Sequence, residues 1–231
     1  MTKKESVQFH MSVEGKNCET LYFSHLREII NHSDRNKYNL KLNPKRMSPS
    51  AFAKRNGHLP KGGYMPKGKR KEQSLPFIHI QDIEDYYDKE QQDKFYRLID
   101  EIRKTERDFH LDYQLGYSNY TFELWILLHV ADMATPVRSR EAYLAPINRY
   151  FSRNFTSLDD FKSESEFQKI LDEYITLDSV FLAIERAERI VEQNKKQKRA
   201  ENYKKVVFFH DNPDISVHDV VKLIFEVCGV K

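Results

Sequence analysis

The run Val7-Gln8-Phe9-His10-Met11-Ser12-Val13-Glu14-Gly15-Lys16-Asn17-Cys18-Glu19-Thr20-Leu21-Tyr22-Phe23 changes its periodicity once. Val7, Phe9, Met11 and Val13 alternate with polar residues, the period of a strand, and the alternation stops in a turn at Glu14-Gly15. Beyond the turn, Tyr22, Phe23, Leu26, Ile29 and Ile30 recur at helical spacing over about residues 19–31. Working outward, Tyr38, Leu40 and Leu42 predict a second strand. Pro76-Phe77-Ile78-His79-Ile80 is a third apolar run, ending in Gln81-Asp82-Ile83-Glu84-Asp85. Phe95, Tyr96, Leu98, Ile99 and Ile102 lie on one face of a helix over 89–105, followed by a fourth strand at 111–117 and an apolar helix at 120–132. Strands alternating with helices predict an α/β fold with a mainly parallel sheet flanked by helices over residues 1–135. Residues 136–231 are expected to form a helical extension packed on that core. Its helices fall at 139–152, 163–174, 177–202 and 216–227, with a short strand at 206–210.

The chain has 231 residues, 39% hydrophobic and 13% aromatic. A chain of this length buries about 70% of its unfolded surface on folding, which excludes disorder throughout. It contains no run of ~18 apolar residues, as a membrane-spanning helix needs, and Met1-Thr2-Lys3-Lys4-Glu5-Ser6 has no signal-peptide character. A cytoplasmic protein that does not enter the membrane is therefore expected. Two cysteines, Cys18 and Cys228, are too few for a disulfide framework or a thiolate metal cluster.

The net charge is only +3, from 38 basic and 35 acidic residues, but its distribution is uneven. Between Pro44 and Glu72 stand nine Lys/Arg and one acid, a local charge of +8 that leaves the rest of the chain at −5. Four of the seven glycines and five of the eight prolines lie within 44–76, which argues against a regular helix or strand there. A mobile basic loop is expected, with Lys61, Lys67, Lys69, Arg70 and Lys71 available to a nucleic-acid backbone. A solvated linker, or a patch for an acidic protein, fits the same composition.

The carboxyl ends of strands in an α/β sheet form its binding crevice. Glu14 and the group Asp82, Glu84 and Asp85 fall at that edge. Asp82 and Glu84, two apart, can present carboxylates jointly to a hard cation such as Mg²⁺, which can offset charge developing on a phosphodiester. Glu14 is then a ligand or a general acid/base. Acids after a strand also cap helices and sit in solvated turns. Lys16 can hold a phosphate as a point charge. Ser118 or Asn119 reads as a helix N-cap. Glu123, surrounded by Phe122, Leu124, Trp125, Leu127 and Leu128, needs a metal or a Lys/Arg partner if buried. His129 reads as a packing histidine or, less directly, a catalytic one.

Three segments carry a family resemblance. Val13-Glu14-Gly15-Lys16-Asn17-Cys18-Glu19-Thr20-Leu21-Tyr22-Phe23 resembles the opening of the RloB-like (AbiLii-type) proteins, Tyr117-Ser118-Asn119-Tyr120-Thr121-Phe122-Glu123-Leu124-Trp125-Ile126-Leu127-Leu128-His129 their Ser-Asn-x-x-Phe-Glu-x-Trp segment, and Asn212-Pro213-Asp214-Ile215-Ser216-Val217-His218 their Asn-Pro-x-Thr-x-Val-His motif. The resemblance implies a Toprim fold, with a glutamate after the first strand and Asp-x-Asp after a later one. It further implies Mg²⁺- or Mn²⁺-dependent cleavage of RNA or DNA in anti-phage defence, with an SMC/ABC-type ATPase as partner; a homo-oligomer is compatible. Carried over, Glu14, Asp82 and Glu84 are the expected catalytic residues and, with Asp85, the metal ligands; Lys16, Glu123 and His129 are additional candidates. Glu84 stands where the family pattern has aspartate, so a catalytically degenerate subunit that binds nucleic acid or a partner is the alternative.

Overall fold

The first strand is broken once, at His10, into β1 (Ser6–Phe9) and β2 (Met11–Val13), and α1 (Cys18–Asn31) comes after it. The structure is a computed structural model that describes residues 4–56, 63–64, 75–84, 88–197 and 200–231. Next come β3 (Asn39–Leu42), β4 (Lys45–Arg46), α2 (Pro49–Asn56), β5 (Gly63–Tyr64), β6 (Phe77–Asp82), α3 (Lys89–Phe109), β7 (Tyr113–Asn119) and α4 (Glu123–Leu128). A 3₁₀ turn at Arg140–Tyr143 leads into α5 (Leu144–Tyr150), α6 (Leu158–Phe161), α7 (Glu164–Tyr174) and α8 (Leu177–Gln197). The chain closes with β8 (Glu201–Tyr203), β9 (Val206–Phe208), β10 (Asp214–Ile215) and α9 (Val217–Cys228).

The main sheet has the order β10-β7-β6-β2-β4, parallel except for β10. β1 pairs with β3 in parallel, and one register runs from Ser6↔Asn39 to Val13↔Arg46. The two broken strands therefore form a single pair bent at His10 and at Asn43-Pro44. The short β5 adds to β1 antiparallel. Period-two alternation sorts the strands between two cores. Met11, Val13, Ile78 and Ile80 join α1, α4 and the later helices, whereas Phe77, Tyr113 and Tyr117 join α2 and α3. The first core includes Leu26, Leu127, Phe167, Ile184 and Ile224, so side chains from both sides of residue 135 share it.

The expected order of strands and helices holds through β7, with four differences. The 44–76 stretch is not irregular throughout. Pro44 leads into β4 and Pro49 opens α2, where a missing N–H costs nothing; Phe52 and Ala53 bury against α3, and Lys54 and Arg55 complement the last turn. The apolar helix expected over 120–132 is only Glu123–Leu128. Ser118 and Asn119, expected as caps, belong to β7, where Ser118 aligns with Asp82 and Ile215. The long helix ends at Gln197 rather than near 202, where β8 pairs with β9. Among the described residues no helix is long and apolar enough to cross a membrane.

α9 lies close on β7 because Gly116 has no side chain. A Cβ there would stand 2.8 Å from Ile80 Cδ1, 3.0 Å from Val220 Cγ2 and 3.4 Å from the Val217 Cα. Gly116→Val should accordingly lower the free energy of unfolding by about 1–3 kcal/mol, the scale of overpacking in a filled core. Urea denaturation checks this, and an unchanged midpoint would show that α9 can move away freely.

Candidate site at the ends of the parallel strands

The register Val13↔Ile80 brings the ends of β2 and β6 together. Glu14 N donates to Ile80 O at 3.0 Å, and the Glu14 carboxylate accepts from Gln81 Nε2 and, through Oε2, from Asp82 N at 3.4 Å. Along β6, Phe77, His79 and Gln81 point to the α2/α3 face, so Asp82 points to the face of α1 and α4. There it meets Glu19 from α1 and Glu123 from α4. Four carboxylates thus collect at one end of the sheet.

Their partners are few. Glu123, 1% exposed, has its Oε1 2.5 Å from Lys162 Nζ, and Thr121 Oγ1 donates to its Oε2. Thr121 Oγ1 also lies 3.3 Å from Asp82 Oδ2. A hydroxyl has one proton to donate, and the Glu123 contact is the closer of the two, so among the described residues Asp82 is left without a donor on that oxygen. Its other oxygen, Oδ1, is buried with no hydrogen-bond partner among the described residues. Burial and the charges of Glu19, Glu123 and Glu14 push the Asp82 carboxyl well above the usual aspartate range, with Lys162 opposing. Burial likewise lifts Glu19 to about 6, against its own backbone N–H and with Glu123 adding to the rise. The Glu19 carboxylate occupies the space over Gly15, where a Cβ would overlap it; this is the structural reason for the Glu-Gly turn. Burial works against the charge on Lys162, but the charge and hydrogen bond of Glu123 outweigh it and hold the lysine protonated.

Glu14, Lys16, Glu19, Asp82, Glu84 and Lys162 line one cleft of about 440 Å³. Arg46 reaches it from β4, its Nε donating to Glu14 O at 3.3 Å, and Arg140 stands at its wall. The structure therefore gathers the expected Glu14, Asp82, Glu84 and Lys16 around one space. Glu123 lies beneath it as the buried anchor of Lys162, the lysine clamp that its apolar surroundings require. His129 does not line the cleft. It is 2% exposed, donates through Nδ1 to Trp125 O at 2.9 Å and accepts from the Tyr22 hydroxyl at 3.2 Å through Nε2, with burial lowering its pKa to about 3. It is a neutral packing histidine. Asp85, Lys61, Lys67, Lys69, Arg70 and Lys71 lie outside the described residues. Sequence reasoning does not single out Glu19 or Lys162. Glu19 in a helix's first turn reads as a dipole partner, and Lys162 meets Glu123 only through the tertiary fold.

Opposite this face, a directional chain supports Glu14. Gln81 Nε2 donates to Glu14, so its Oε1 accepts from His79 Nε2 at 3.3 Å; His79 Nδ1 then accepts from Ser12 Oγ at 2.8 Å. His79 is buried and neutral, its pKa lowered to about 4 mainly by burial. On the outer side, Lys94 Nζ pairs with Glu14 Oε1 at 2.8 Å.

Among the described residues no three His, Cys, Asp or Glu side chains gather closely enough to hold a metal ion by themselves. The donor set still suits a hard cation. Mg²⁺ is ordinarily held by one or two carboxylates, with water and phosphate oxygens completing its shell. Glu14 accepts from the Asp82 backbone N–H, and Asp82 Oδ1 has no hydrogen-bond partner among the described residues. A cation held by Asp82 and Glu14 would satisfy that oxygen and relieve the repulsion, and Lys94 pairs with Glu14 from the outer side.

Glu19 contributes to the pH dependence of stability. Its proton is held more tightly in the folded than in the unfolded chain, so its contribution to stability is complete below pH 4.5 and lost as pH rises through about 6. The loss is on the order of 2 kcal/mol. Without divalent cations, Glu19→Gln should gain stability relative to the wild type above this window compared with below it. Urea titrations at the two ends measure the difference, and equal effects would contradict the assignment.

No curated protein and no solved structure matches the chain. The family model described as RloB-like protein matches residues 9–224, which include β2, α1, β6, β7 and α4 and hence Glu14, Glu19, Asp82, Glu123 and Lys162. The chain belongs to the RloB-like family.

Proposed function

We propose that the chain is a Toprim-type phosphodiester hydrolase acting on nucleic acid with Mg²⁺ or Mn²⁺ at the ends of β2 and β6. The carrying observation is the buried Asp82 carboxylate at the carboxyl edge of a parallel sheet, its Oδ1 without a hydrogen-bond partner among the described residues, with Glu14 and Glu19 lining the same cleft. In this reading Glu14 and Asp82 hold the ion and Glu84 is the next available ligand. The ion supplies Lewis-acid stabilisation of charge on the phosphodiester. Lys16, Arg46 and Arg140 bind phosphate oxygens at the cleft wall, and Lys162 keeps Glu123 neutralised below it. Glu19, whose carboxyl is lifted by burial to about 6, takes up or releases a proton at its carboxylate. Membership of the RloB-like family supports placing this activity in anti-phage defence, in the cytoplasm, with an SMC/ABC-type ATPase restraining it.

The Lys94–Glu14 ion pair favours a second reading, a degenerate site that binds nucleic acid or a partner without cleaving it. Cleavage separates the two. Incubated with RNA and DNA, the wild type should cleave with Mg²⁺ and not with a chelator. Glu14→Ala and Asp82→Ala should each lose at least about 100-fold, the upper range for removing even an outer-shell group of a metal site. Wild-type cleavage by both variants would overturn the assignment, and binding without cleavage by the wild type would favour the second reading.

A further inference from the structure

A second cavity, of about 580 Å³, opens on the other side of Glu14, between α2, α3 and the sheet. We infer that it receives one unstacked nucleotide next to the phosphate at the acid cleft, so that the nucleic acid taken is single-stranded; this rests on the function proposed above. Glu14 and Arg46 line both cavities, so a chain with a phosphate in front of Glu14 has its neighbouring nucleotide at the mouth of the second. The volume is in the range of small-ligand pockets, roughly 300–1,000 Å³. Its walls suit a base face: Val13, Met47, Pro49 and Leu98 are apolar. Glu101, which also faces the space, is engaged, because its Oε1 accepts from Ser50 N at 2.9 Å at the start of α2. Arg97 lines the same cavity from α3, is exposed and has no hydrogen bond or ion pair among the described residues, so its guanidinium is available to a phosphate or a base face.

A duplex keeps its bases in the stack and presents only backbone to such a surface, leaving a cavity of this volume unfilled. A single strand can turn a base into it, as single-strand binders do by combining a cationic track with apolar or stacking platforms.

Binding of labelled oligonucleotides in the presence of a chelator tests this without requiring cleavage. The probes are single-stranded DNA, single-stranded RNA, duplex DNA, and an abasic single strand with the same number of phosphates. At least one based single strand should bind about tenfold or more tightly than both the duplex and the abasic strand, the scale of one base contact. Met47→Ala and Arg97→Ala, folded as judged by circular dichroism, should weaken that binding severalfold; Met47→Ala should leave duplex binding unchanged. Comparison of the DNA and RNA strands identifies which sugar is preferred. Equal affinity for the duplex or the abasic strand, or a full-strength complex with Met47→Ala, would overturn the inference while leaving the hydrolase reading to the cleavage assay. No binding of any probe by the wild type would likewise overturn the inference, with the hydrolase reading still decided by cleavage in Mg²⁺.

Discussion

Parallel pairing of β2 with β6 in the register Val13↔Ile80 determines where every acid of the cleft starts. It brings Glu14 level with Gln81, close enough for the Glu14 carboxylate to take hydrogen bonds from the Gln81 side chain and the Asp82 backbone. The two-residue period of β6 then sends successive side chains to opposite faces. Gln81 and His79 support Glu14 from the α2/α3 side, and Asp82 turns to the opposite face, where α1 and α4 deliver Glu19 and Glu123. A slip of one residue would exchange these sets, placing Ile80 and Asp82 among the α3 side chains and His79 in the apolar core. The main core and the site thus enforce the same register.

The site is electrostatically costly, and the surrounding architecture bears that cost. Asp82 and Glu19 are both pushed towards their neutral forms by burial and by neighbouring carboxylates, while Lys162, from the loop between α6 and α7, answers only Glu123 directly. Such an arrangement persists because the sheet carries an apolar layer on each face and because α9 seats tightly on β7 over Gly116. Lys94 and Gln81 compensate Glu14 from outside the cluster, which leaves Asp82 as the acid with an unmet demand for positive charge. A hard cation is the simplest species to meet it, since a protonated Asp82 would still leave Glu14 and Glu19 in repulsion.

Much of this is legible in the sequence. The alternation of Val7, Phe9, Met11 and Val13 reads directly as a strand, and the stop at Glu14-Gly15 gives the turn; Ile78 and Ile80 do the same before Asp82. The metal candidates Glu14, Asp82, Glu84 and Asp85 all follow those two endings. The helix at Pro49–Asn56 is hidden because proline reads as a breaker, whereas at a first helical position it is compatible with the fold. β10 is two residues long and shows no period. Glu19 and Lys162 escape a reading by residue type because burial gives them their roles. The pairing of Lys162 with Glu123 spans separate elements that only packing brings together. His129 is ambiguous in sequence for the converse reason: a histidine on an apolar helix becomes a neutral packing group once Tyr22 and Trp125 enclose it.

On the proposed function, the cluster around Asp82 accommodates a divalent cation and is less stable without one. Thermal unfolding of the wild type and of Asp82→Asn, each with and without saturating Mg²⁺ or Mn²⁺, tests it most directly, because a ligand that binds the folded state raises its midpoint by mass action. Either ion should raise the wild-type midpoint, Asp82→Asn should melt above the wild type without metal, and the variant should not respond to the ions. A wild-type midpoint unmoved by both ions, or a variant that responds as the wild type does, would contradict it.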